Sequence, residues 1–196
     1  MGRPLWIGLV LAGLLSANAW AQAACERNAL ELRLLCATYR WDGPVVSAYF
    51  RTVDAAAYPA FAGLTVVAWG GVLTGQLSRP TAERITLSVA ATTALVFGLK
   101  AVIQRDRPFK AWEDITPRGD SPSSYAFPSG HAALAFALAT AWSLEVPRVY
   151  VVGPAYVWAS SVAIGRVWKG VHYPTDVLIG AALGAGVAWT IHQLWQ

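Results

Sequence analysis

Five stretches of this chain, 55–78, 85–99, 121–144, 149–165 and 177–196, run for fifteen or more residues without an Asp, Glu, Lys or Arg. A helix exposed to water needs a polar face, and these runs carry no charged one. At roughly 20 residues each they match the hydrocarbon thickness of a bilayer. Inside hydrocarbon every backbone N–H and C=O has to be satisfied within its own segment, which makes the helix the form for runs this long. Helices are therefore expected near 57–77, 83–104, 130–145, 148–166 and 176–195. The run 85–99 is short, but Arg84 and Lys100 at its ends can snorkel to the interface. The 196 residues are 56% hydrophobic and 13% charged, against about 25% charged for an average soluble domain. That balance excludes disorder, a collagen-like chain and a nucleic-acid-binding tail. Ten Trp, seven Tyr and six Phe fit a chain with two membrane interfaces. The fold class expected is all-α, a polytopic transmembrane bundle of five to six helices. Gly180, Gly184 and the run Gly184-Ala185-Gly186 suit close helix packing.

The N-terminus has Arg3, an apolar stretch from Leu5 to Leu15, and small residues around Ala19-Trp20-Ala21 and Ala21-Gln22-Ala23. Residues 1–23 thus read as a signal peptide or a first transmembrane helix, and 24–196 as a single domain. Either reading places the following segment outside the cytoplasm. Alternation then puts 78–83 and 145–148 inside, where Arg79, Arg84 and Arg148 satisfy the positive-inside rule, and puts 24–56, 104–129 and 166–176 outside. The outer segments nevertheless hold Arg105, Arg107, Lys110 and Arg118. Positive charge on the wrong side calls for another reason, and a phosphate-binding site supplies one. The net charge of +4 is scattered between apolar runs and forms no stripe, so nucleic acid is not the expected partner.

The two cysteines, Cys25 and Cys36, lie in an oxidising compartment if this orientation holds. A continuous helix from Glu26 to Tyr39 would hold them about 16 Å apart, too far to bridge, so a disulfide requires that helix to break near Cys25. The helix expected near 26–40 has two open fates, lying on the outer membrane surface or packing on the bundle. The longest irregular stretch, from Asp106 to Pro128, holds four prolines. A loop of that length usually carries function. Its Phe109, Trp112, Tyr125 and Phe127 are candidates to line an acyl or prenyl entrance.

Three clusters fall at the outer ends of the expected helices. Lys100-x6-Arg107-Pro108 closes the second long helix with two cations and a proline that stops it. Pro128-Ser129-Gly130-His131 opens the next, with Ser129 where an N-cap belongs and Gly130 letting an anion approach the N–H groups of a helix start. Arg166-x5-His172-x3-Asp176 occupies the turn between the last two helices. Asp176, four residues after His172, is placed to accept the Nδ1 proton and leave Nε2 free as a nucleophile. Two of the three histidines, three cations, a helix N-terminus and a carboxylate thus share one membrane face. The set suits phosphoryl transfer through a phosphohistidine. Lys100, Arg107 and Arg166 would hold the phosphate oxygens, with Ser129 and the Gly130 N–H adding hydrogen bonds. His172 would attack phosphorus, while His131 would protonate the leaving oxygen and then activate water. Cationic side chains neutralise the charge in this scheme, so neither a metal nor another cofactor is expected.

In order and spacing, the three clusters resemble the signature motifs of the type 2 phosphatidic acid phosphatase superfamily. The resemblance spans about residues 100–176 and implies a membrane-integral helical bundle. It also implies a lipid phosphate or diphosphate as substrate and the roles just given to His172, His131, Asp176, Lys100, Arg107, Ser129, Gly130 and Arg166. For this chain it further implies a bacterial inner membrane, with the site facing the periplasm. Transfer of the phosphoryl group to a second lipid is the alternative outcome for the same intermediate. Vanadium haloperoxidases, typically larger and soluble, resemble the same motif set and form a more distant alternative. The chain departs from the family pattern at Gly165, where Ser usually precedes the arginine.

Overall fold

A computed structural model describes Cys25 and residues 29–195. The signal or first-helix expectation for 1–23 lies outside the described residues. The elements are α1 (Leu30–Tyr39), α2 (Pro44–Leu73), α3 (Arg79–Ile103), a single turn α4 (Pro108–Ala111), α5 (Gly130–Glu145), α6 (Val149–Trp168) and α7 (Pro174–Leu194). Six helices longer than one turn make the described residues an all-α bundle. Three helical stretches are long and apolar enough to cross a membrane: Pro44–Leu73, Arg79–Ala111 and Pro174–Leu194. Of the five runs expected to span, three fall in stretches that qualify by length and composition, and those near 130–145 and 148–166 do not. The 16-residue α5 extends only about 24 Å and is the enclosed centre of the bundle, packed against α2, α3, α6 and α7.

Local chemistry sets the ends that matter for function. Ser78 caps α3 by accepting from the Thr81 N–H, and α3 stops at Gln104, whose φ of 50° is left-handed. Ser129 caps α5 through the Ala132 N–H at 3.5 Å. Pro174 opens α7 with a ring already set to helical φ. Asp176 accepts the Tyr173 N–H at 2.8 Å, satisfying a donor that the helix start leaves free.

The central contact joins α5 to α7. A Cβ at Gly184 would lie 1.9 Å from the Ala133 carbonyl oxygen, and one at Gly180 would lie 2.6 Å from that of Ser129. The close packing expected of these glycines is therefore present, and it seats the start of α5 on α7. Gly186 has nothing within 4 Å and takes no part. Ala57, Phe61 and Ala68 of α2 meet Ile85 of α3, Leu138 of α5 and Val162 of α6 in the main core. Ala29 has extended dihedrals and α1 begins only at Leu30, which frees Cys25 to bridge Cys36 with a Cα–Cα distance of 5.6 Å. Leu32, Leu35 and Cys36 are buried where α1 packs on α6 and α7, so α1 belongs to the bundle.

At the end opposite the three motifs, Glu145 closes α5 and ties three helices. It accepts from Arg84 and from Thr81 of α3 and lies 3.0 Å from His192 Nδ1 of α7. The Glu145 side chain is 5% exposed and that of Arg84 15%. Removing one member of such a pair strands the other charge. Glu145→Ala is expected to cost about 3 kcal/mol of stability, read as a lowered thermal midpoint in detergent. An unchanged midpoint would show that the cluster does not hold this end.

Candidate active site

At the other end, the end of α3, the start of α5 and the turn between α6 and α7 close around one cavity of ≈ 590 Å³. That volume falls within the usual range for ligand pockets. Lys100, Arg107, Gly130, His131, Arg166 and His172 all line it. Ser129 and Asp176, both 0% exposed, stand behind the wall. The Ser129 hydroxyl is engaged with the α5 backbone, which places it as a support for the Gly130 turn.

His172 Nε2 lies 3.2 Å from Arg107 Nη1. A guanidinium can only donate, so Nε2 accepts and the ring proton belongs on Nδ1. Nδ1 faces Asp176 Oδ2 at 3.5 Å and has no hydrogen-bond partner among the described residues. The expected Nδ1–Asp176 hydrogen bond is thus present only as a facing pair. The carboxylate is instead held by the Tyr173 N–H and by Arg105, each at 2.8 Å. Burial first, then the charges of Arg107, Arg166, Lys100 and His131, hold the His172 imidazole well below the ordinary histidine range. It is neutral near pH 7 and keeps its lone pair.

The cations are anchored by the backbone that surrounds them. Arg107 donates to the carbonyls of Ser124, Val171 and Tyr125, and Lys100 donates to that of Tyr125. The irregular loop before α5 therefore acts as a clamp on both first-motif cations. Arg166 is 5% exposed and pairs through Nη1 with Asp54, while its buried Nε lacks a partner among the described residues. The His131 ring sits edge-on to Tyr58, with centroids 4.7 Å apart, and to Phe61 at 5.9 Å.

Three residues here were not assigned roles from the sequence. Asp54 of α2 bridges Arg166 and Lys169, Lys169 itself lines the cavity, and Arg105 joins Asp176 to Glu31 of α1. Burial opposes ionisation of Glu31, but hydrogen bonds from Arg105 and Thr175 hold its carboxyl below the usual range. The cavity also has an apolar side, built by Tyr58 and Phe61 of α2, Val96 and Phe97 of α3 and Leu134 of α5. Of the loop aromatics expected at an entrance, Phe109 and Trp112 pack instead against a second core under α1. The departure at Gly165 has a steric counterpart, because a Cβ there would lie 3.2 Å from the Phe50 ring.

Comparison with known proteins places this geometry. The chain is 35% identical over 123 residues to a decaprenylphosphoryl-5-phosphoribose phosphatase of Mycobacterium tuberculosis, covering 59% of this chain and 64% of that one. It is 32% identical over 113 residues to an undecaprenyl-diphosphatase of Sulfolobus acidocaldarius, covering 56% and 54%. The match thus spans less than two thirds of either relative. The crystal structure of a transmembrane PAP2 type phosphatidylglycerolphosphate phosphatase from Bacillus subtilis superposes with a TM-score of 0.71 at 25% identity, covering 96% of this chain and 94% of that one. The bundle accordingly has the transmembrane PAP2 fold and is a multi-pass, membrane-integral one. The PAP2 superfamily model matches residues 83–196, a span that takes in every motif residue from Lys100 to Asp176, and the chain belongs to that superfamily.

Proposed function

We propose that the chain is a metal-independent membrane phosphatase that hydrolyses a lipid phosphomonoester or diphosphate through a phosphohistidine on His172. The observation that carries this reading is the 3.2 Å approach of an unprotonated His172 Nε2 to Arg107, in a cavity whose other walls present Lys100 and Arg166. A phosphoryl group held by these cations has its phosphorus in front of the nucleophile. The Arg166 Nε, without a partner among the described residues, and the N–H groups that a helix start presents at Gly130 are donors that an oxyanion satisfies. As the P–N bond forms, the P–O bond to the leaving group breaks and His131 supplies its proton. Water activated by the same His131 then splits the P–N bond and releases inorganic phosphate, returning His172 to its neutral state. Asp176, fixed by Arg105 and the Tyr173 N–H, faces the imidazolium charge that develops on His172. The apolar side between α2 and α3 is where a lipid chain leaves the site. Tyr58 and Phe97, both 67% exposed, open it sideways. The relatives named above make a polyprenyl carrier the favoured lipid. The site faces the periplasm of a bacterial inner membrane in this reading.

The test is phosphate release from a panel of lipid phosphates and diphosphates by protein purified in detergent with EDTA present. Release is expected to persist in EDTA and to be suppressed by orthovanadate, which mimics the pentacoordinate phosphorus. Loss of release in EDTA, restored by Mg²⁺, would overturn the metal-free scheme. Release that requires an added acceptor lipid would turn the assignment to a transferase.

A further inference from the structure

We infer that Glu31 of α1 is a positioning residue for the phosphoryl transfer, holding Arg105 so that Asp176 keeps one carboxylate oxygen turned to His172. The inference rests on the phosphatase reading above and adds a residue from outside the three motif clusters. Neither Glu31 nor Arg105 lines the cavity. Their effect on the rate therefore travels through Asp176.

An arginine and a carboxylate commonly pair fork to fork, with two guanidinium nitrogens on the two carboxylate oxygens. That pairing does not form between Arg105 and Asp176. Arg105 gives Nη1 to Asp176 Oδ1 and Nη2 to Glu31 Oε2, each at 2.8 Å. Only one Asp176 oxygen is thus taken by the arginine. The other, Oδ2, stays with the Tyr173 N–H at 2.8 Å and faces His172 Nδ1 at 3.5 Å. Glu31 is fixed in its turn. Its Oε1 accepts from the Thr175 hydroxyl, and Thr175 Oγ1 accepts from Arg105 Nη1 at 2.8 Å, which closes a ring of three side chains. The guanidinium carbon of Arg105 lies 3.9 Å from the centroid of the Tyr173 ring, so the fork is covered on that face. Buried Leu32 and Leu35 and the Cys25–Cys36 bridge seat α1. Burial opposes the charge on Glu31, yet the hydrogen bonds from Arg105 and Thr175 keep its carboxyl ionised near pH 7.

Without the Glu31 carboxylate, Nη2 is released to join Nη1 on Asp176. The fork-to-fork pair then draws Oδ2 toward Arg105 and away from Nδ1, and one guanidinium offsets the whole charge of Asp176 instead of being shared between two carboxylates. The loss falls on one step. As the P–N bond forms at Nε2 and the P–O bond breaks, the departing oxygen takes its proton from His131 and the His172 ring becomes a cation. Its Nδ1–H then needs the Asp176 oxygen that Glu31 has kept in place. Phosphate binding, the work of Lys100, Arg107 and Arg166, does not depend on Glu31.

The experiment measures single-turnover transfer of label to the protein from a polyprenyl diphosphate carrying ³²P at its terminal phosphorus, together with KM for the same lipid. Wild type is compared with Glu31→Ala, Glu31→Gln, Asp176→Asn and the double variant of Glu31→Ala and Asp176→Asn. Glu31→Ala is expected to slow transfer about tenfold, the scale of one charge-assisted hydrogen bond, with KM unchanged. Glu31→Gln keeps an acceptor for Nη2 and should recover part of the loss. In the Asp176→Asn background Glu31→Ala should slow transfer no further, because the carboxylate through which it acts is gone. The Glu31 side chain is 27% exposed, so its removal strands no fully buried charge and the thermal midpoint should hold. Arg105→Lys repeats the test without altering α1, since a single ammonium does not reproduce the fork, and the same loss is expected. Transfer at the wild-type rate in Glu31→Ala would overturn the inference. A loss of equal size in both backgrounds would overturn it as well and leave Glu31 as an anchor for α1. No label on the wild-type protein would instead overturn the phosphatase reading itself.

Discussion

His172→Ala is expected to abolish phosphate release, by about four orders of magnitude or more, while the protein keeps its thermal midpoint. The size follows from what the side chain does in the proposed reaction, because without Nε2 no P–N bond forms and the three cations hold a phosphate that nothing attacks. The fold should survive because His172 makes few contacts that alanine cannot forgo. Its Nδ1 has no hydrogen-bond partner among the described residues, and its Nε2 partner Arg107 remains held by the carbonyls of Ser124, Val171 and Tyr125. A second readout tests the intermediate directly. Wild type quenched during turnover of a ³²P-labelled lipid should carry acid-labile, base-stable label on the protein, and His172→Ala should carry none. A near-normal rate in the mutant, or label mapped to another residue, would remove the nucleophile from His172.

Asp54 and Lys169 show where the sequence stops being informative. The motif residues were legible because their spacing places each at a helix end on one membrane face, and six of the eight line the cavity. Charge-free runs located the helices but truncated α2, since a start near residue 57 discards the segment from Pro44 that carries Arg51 and Asp54. The discarded part held a site residue. Its helical signal was present all the same: Gly43-Pro44 is a helix opening, and Asp54, Tyr58 and Phe61 recur at the spacing of one helix face. A carboxylate on an otherwise apolar face earns its place through a partner, but only the packing of α2 on α6 reveals that the partners are Arg166 and Lys169. Ser129 carries a second role that its motif position does not announce, since its hydroxyl also caps α5 by accepting from the Ala132 N–H. The cysteine bridge hinged on whether the helix broke before Cys36, and the extended Ala29 decides it.

Gly184→Ala is expected to be the most damaging single methyl in the bundle, with a loss of about 3 kcal/mol or more in stability. Intrinsic propensity argues the other way, since alanine favours an interior helical position over glycine by about 1 kcal/mol. Packing decides the sign. The new Cβ would fall 1.9 Å from the Ala133 oxygen, 2.8 Å from its carbonyl carbon and 3.0 Å from the Ala137 nitrogen. All three atoms are backbone of the central helix and cannot rotate aside, so α7 has to move off α5. That movement reaches the site, because Asp176 lies in the first turn of α7 and the Ser129 N–H donates to the Asp176 carbonyl at 3.0 Å. Gly186→Ala serves as the internal comparison, since its Cβ would meet nothing within 4 Å and only the propensity gain remains. Thermal midpoints in the same detergent should therefore move in opposite directions for the two variants, and phosphate release per folded molecule should drop for Gly184→Ala alone. Equal midpoints would mean that α5 and α7 stand further apart than the oxygen-to-Cβ distance requires, and the rigid seat proposed for His131 and Asp176 would lose its basis.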